Sequence, residues 1–122
     1  MYNNDEDHSI VKTYLELPYV LRIVEMYIRK LESSNMKLSY VFVLYLKGLQ
    51  SEVFTQINDT KRVMRNRGIK IIQEDETEDS LMARYKCRGY EHSISLLWGK
   101  VRSDTEVKLA ELMGVDITKM ER

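Results

Sequence analysis

Apolar positions along this chain recur first at the spacing of a helix, then at that of a strand, and then at that of a helix again. Leu21, Val24, Ile28 and Leu31 lie three or four residues apart, with Arg22, Arg29 and Lys30 off their face, which is the signature of an amphipathic helix. Pro18 suits the first turn of that helix, where its missing N–H leaves no bond unmade. The spacing therefore predicts a helix that starts after Pro18 and ends near Ser33–Ser34–Asn35. Before it, Ser9 caps a short turn carrying Ile10, Val11, Tyr14 and Leu15. Residues 1–8, acidic at Asp5, Glu6 and Asp7, carry nothing to bury and read as a flexible leader.

Residues 38–49 are apolar nearly all round and rich in Val and Tyr, a composition that admits a buried strand as well as a helix. Continuation decides for the helix. Leu49, Val53, Ile57, Thr60 and Met64 extend one face at near-helical spacing, and Ser39 offers an N-cap. A long helix, or a pair bent at Gly48, is expected over 39–67. It stops at Arg67–Gly68, because glycine readily takes the left-handed closing conformation and basic residues suit the negative end of a helix.

Beyond Gly68 the period changes. Residues 69–74 are strand-like, 75–80 are polar, and 81–90 alternate, with Ala83, Tyr85 and Cys87 facing one way and Arg84, Lys86 and Arg88 the other. This predicts a β-hairpin with one face on the helices. From Glu91 the helical spacing returns in Ile94, Trp98, Val101, Thr105, Leu109 and Leu112, giving a C-terminal helix over 91–113 closed by Gly114. Ser103 and Glu106 stand in capping-box relation, which allows a joint at Arg102–Ser103. The fold class is α+β, mainly helical: helices packed with one antiparallel β-hairpin (69–74 and 81–90), followed by a C-terminal helix. A single domain covers 9–114, and 115–122 form a tail.

Composition narrows the function classes. A chain of 122 residues with 43% hydrophobic content supports one core. Lys+Arg 19 balance Asp+Glu 19, so no global field draws the protein to nucleic acid or to an anionic membrane. A lone Cys87 excludes an intramolecular disulfide, and the start lacks the basic-then-apolar layout of a signal peptide. The longest apolar run, 40–46, falls well short of the roughly 20 residues of a membrane helix. These features predict a cytoplasmic protein with no membrane partner.

Candidate chemistry is sparse. His8 and His92 have acidic neighbours but no second His or Cys at a ligand spacing, so no metal is expected. Cys87, on the inward face of a strand, reads as a small buried hydrophobe. The acidic segment 74–79 lacks the central glycine of a calcium loop and reads as a solvated hairpin tip. No glycine-rich phosphate loop or serine elbow is present. No enzyme activity, cofactor or small-molecule substrate is expected.

Two classes remain. Tyr numbers 8 and Met 7, and both types serve association surfaces; Tyr27, Tyr40 and Tyr45 lie on faces that one core does not cover. Ile94, Trp98, Val101, Leu109 and Leu112 form a stripe suited to pairing with its twin in a homodimer. The first choice is thus non-catalytic association, with itself or with another protein, as an accessory or regulatory factor. The second rests on element order, which resembles that of winged-helix regulators, whose hairpin follows the recognition helix. That resemblance implies DNA contact through Lys61, Arg62, Arg65 and Arg67 with Arg84, Lys86 and Arg88, although the acidic hairpin tip opposes phosphate. Residues 109–122, with Ala110, Gly114 and Met120, locally resemble the helix-turn-helix of phage-repressor-type regulators. The stretch stops short of a full recognition helix, and the form expected is a Gly-capped helix end and a tail.

Overall fold

The fold was analysed in a computed structural model, which describes residues 5–119. Two 28-residue helices, α1 (Asp5–Glu32) and α2 (Ser39–Asn66), are followed by three strands, β1 (Ile69–Glu76), β2 (Ser80–Cys87) and β3 (Tyr90–Leu97), then by α3 (Trp98–Met113) and a 3₁₀ turn at Ile117–Lys119. The expected class, α+β and mainly helical with a C-terminal helix after the strands, is the class observed. No helix among the described residues is long and apolar enough to cross a membrane.

The helices α1 and α2 run antiparallel, because core positions descend along one as they ascend the other: Val24 and Ile28 meet Val43 and Leu49, Leu17 and Val20 meet Val53, and Val11 and Leu15 meet Met64. Pro18 does not break α1; the helix passes through it. Leu15, Leu17 and Val20 on either side are all buried, so packing outweighs the roughly 3 kcal/mol that an internal proline costs. Nor are residues 5–8 a loose leader. They form the first turn of α1, where Asp5, Glu6 and Asp7 complement the positive end of the helix dipole; residues 1–4 lie outside the described part. Of the two forms expected over 39–67, a long helix or a bent pair, α2 is one helix that runs unbroken through Gly48. Leu38, left-handed at φ 59°, takes the N-cap position in place of Ser39 and makes no side-chain cap bond.

The sheet is an antiparallel meander in the order β1-β2-β3. Its third strand corrects the expectation of helix from Glu91. Arg88 and Gly89 both have positive φ, 51° and 88°, the backbone of a two-residue type I′ hairpin loop, and they return the chain so that Cys87 faces Tyr90 and Tyr85 faces His92. Ile94 and Leu96 then alternate into the core. The inner sheet face, Leu81, Ala83, Tyr85, Cys87, Ile94 and Leu96, packs on Val11, Leu15, Met64 and Val101. Gly114, at φ 71°, closes α3, with Val115 N donating to the Ala110 carbonyl at 2.9 Å. After it, only the 3₁₀ turn is present among the described residues, and Met120 lies outside them.

Candidate protein-association surface

The stripe proposed for self-association is partly taken up inside the fold. Ile94 and Val101 belong to the core of the sheet. Trp98 is half-buried, sits edge-on to Tyr19 at 5.5 Å between ring centroids and donates its indole N–H to the Thr77 carbonyl at 2.8 Å. Leu109 and Leu112 pack against the buried rows between α1 and α2. Trp98, Val101 and Leu109 also line an open groove of about 540 Å³ together with Tyr19, Arg22 and Ile23, so part of the stripe stays accessible.

A second and more exposed run of apolar side chains lies on the first half of α2. At about 100° per residue, Val43, Leu46, Leu49 and Val53 turn toward α1 and α3, Val41, Leu44 and Gly48 turn away, and Tyr45 lies to the side, on the wall of a groove it shares with Leu31 and Met113. Leu44 is 67% exposed, Tyr40 65% and Phe42 59%, and Met36 and Leu38 continue the patch through the turn before the helix. The second half of α2 is more mixed, exposing Phe54 and Val63 among Asn58, Asp59, Lys61, Arg62 and Arg65. A shallow groove of about 390 Å³ borders the patch, walled by Leu31, Val41, Phe42, Tyr45, Leu46 and Met113. Monomeric proteins rarely leave so continuous an apolar area in water. The signal was present in the sequence as the all-round apolar character of 38–49. Which flank stays uncovered depends on where α1 and α3 pack.

The seven cations proposed for nucleic acid do not merge into one plateau. Arg62 pairs with Asp59 at 2.7 Å. Arg84 bonds Glu91 at 2.7 Å and Gln73. Arg67 and Arg88 both reach Asp7, each at 2.7 Å, and Arg67 also reaches Glu6 at 2.9 Å. Lys61 and Arg65 line a shallow groove with Lys70 and Tyr14, and Lys86 is on the outer face of β2. Most of this charge is therefore internally compensated.

Sequence reasoning missed two polar clusters. Asp7 is completely buried; burial opposes its ionisation, but hydrogen bonds from Arg88, Arg67 and the Cys87 thiol prevail and hold it at about 2. Burial, together with the same carboxylate, pushes the Cys87 thiol up, which makes it a poor nucleophile. Between α1 and α3, Lys12 bonds both Glu16 and Asp104, and Lys100 also reaches Asp104 at 3.1 Å. Burial and the Asp104 carboxylate push Glu16 up to about 7 against the pull of Lys12. Both clusters join distant parts of the chain. Among the described residues no group of three or more His, Cys, Asp or Glu is placed to hold a metal ion.

No curated protein and no solved structure gave a match to this chain. A family model described as YhjD protein matches residues 2–117, nearly the whole length, so the chain belongs to the YhjD protein family.

Proposed function

We propose that this protein acts by non-catalytic association with a second copy of itself, through the exposed apolar half of α2, as an accessory or regulatory factor. The observation that carries the reading is the exposed apolar run Tyr40, Val41, Phe42, Leu44 and Tyr45, with Leu44 at its outermost point and Val41 and Tyr45 on the edge of the groove. Fully burying one such side chain is worth roughly 1.5–3 kcal/mol, so a surface that removes several of them from water has ample driving force. A two-fold dimer uses the same patch on both subunits, and an apolar patch of one composition is complementary to itself. The DNA-binding alternative has less support, because Arg62, Arg67, Arg84 and Arg88 are engaged by acids of the same chain.

Sedimentation equilibrium tests it. The protein is expected to run at twice the 14.5 kDa of one chain, and Leu44→Asp is expected to weaken association about 30-fold or more, as loss of a central apolar contact does. A wild-type protein that stays monomeric at high concentration overturns the proposal.

A further inference from the structure

The helix α2 carries glycine at position 48, well inside its 28 residues, where glycine weakens a helix. Nothing inside the subunit asks for it: a Cβ built there meets no atom within 4 Å. Position 48 continues the outward row of Val41 and Leu44 by one further turn, with Tyr45 beside it. A residue without a side chain, on the outer face of a helix and in line with large apolar neighbours, is what a closely approaching second helix requires.

The row also has a symmetry of its own. Counted outward from the midpoint between Leu44 and Tyr45, Val41 on one side corresponds to Gly48 on the other, and Lys37 corresponds to Glu52. Lys37 and Glu52 are exposed and take part in no ion pair among the described residues. The α2 N-terminus has no acidic residue in its first turn and no side-chain cap; the Ser39 and Val41 N–H groups donate to the Met36 and Leu38 carbonyls, and the positive end of the helix dipole has no carboxylate of its own helix to complement it.

Building on the self-association reading, we infer that two copies pair α2 against α2 in antiparallel fashion about a two-fold axis between Leu44 and Tyr45. Val41 of each copy enters the notch left by Gly48 of the other, Leu44 lies against the opposite Tyr45, and the groove beside Phe42 receives the flanking apolar side chains. Glu52 of each copy meets Lys37 and the uncapped helix start of the other. A parallel pairing would set Lys37 against Lys37, Glu52 against Glu52 and Gly48 against Gly48, which wastes both the charge and the notch.

Disulfide trapping distinguishes these arrangements. Val41→Cys and Gly48→Cys on one chain lie about 10 Å apart along the helix, too far to bridge within a subunit, and the native Cys87 is fully buried. Under mild oxidation the double variant is expected to become a covalent dimer, with each single variant remaining unlinked. Linking of either single variant indicates parallel helices and overturns the inference, as does a protein that sediments as a dimer yet links in neither form; both results leave the self-association proposal standing. A monomeric wild-type protein removes both. As a second check, Gly48→Leu is expected to weaken the dimer about 10- to 100-fold, the usual effect of overfilling a packed contact, with thermal stability of the monomer kept or raised. An unchanged dimer in Gly48→Leu also overturns the inference.

Discussion

Asp7 shows how far a single residue can depart from its local context. In sequence it belongs to an acidic start with nothing to bury; in the fold it is completely buried between Arg67 and Arg88, sixty and eighty-one residues on. No local pattern announces such a convergence, because the partners meet only after α2 and the sheet are in place. Removing the charge leaves two arginines that regain water at their exposed sides, so Asp7→Asn is expected to cost about 1–3 kcal/mol in urea unfolding. Since its folded pKa lies below the ordinary carboxylate value, the stability that Asp7 supplies is present above about pH 4 and is lost as pH falls toward about 2.

Glu16 has the opposite sign. Its pKa, raised to about 7 from 4.5, means that the folded state holds a proton which the unfolded state has released between those values. Stability is therefore expected to fall as pH rises from about 4.5 to 7, and then to level off. The groups around it are Lys12 on its own helix and Asp104, with its partner Lys100, on α3, and Asp104 titrates below this window at about 2. Thermal melts of Glu16→Gln across that range are expected to be flat where the wild type declines. A wild-type profile that rises with pH would contradict the assignment.

At the scale of elements, α2, the half of α1 after Pro18, the stop at Gly68 and the first hairpin were legible because each has one dominant period. Two features were not. Pro18 is a strong local breaker, yet Leu15, Leu17 and Val20 bind α1 to its neighbours on both sides of it, and packing of that kind overrides propensity. Replacing the ring restores a backbone donor without loosening those contacts, so Pro18→Ala is expected to raise stability by about 1–3 kcal/mol, measured by denaturant unfolding. β3 was hidden because Ile94, Trp98 and Val101 satisfy a helical spacing while Ile94 and Leu96 satisfy that of a strand. The deciding signal was the Arg88–Gly89 turn, which places an arginine where asparagine or glycine is usual.

For the whole molecule, the packing of α1, α2, α3 and the inner sheet face takes up part of the apolar stripe of the C-terminal helix and leaves the first half of α2 more exposed. The candidate site was legible as chemistry, since Tyr40 and Tyr45 stood out as surplus to one core, but not as a location. Location depends on which flank of α2 the α1 and α3 helices occupy, and that is decided by contacts far apart in sequence. Charge follows the same logic. Arg62 and Arg84 find acids close by, at Asp59 and Glu91, whereas Arg67 and Arg88 find theirs across the fold, at Asp7.

Hydroxyl-radical footprinting of dilute and concentrated protein tests the central claim most directly, because it reports which side chains leave water when copies meet. Protection is expected at Tyr40, Phe42, Leu44 and Tyr45 as the mass doubles, with Met82, Tyr90 and Leu97 on the sheet staying fully reactive. A dimer whose α2 aromatics label as strongly as in the monomer, with protection appearing on the sheet, would contradict the account.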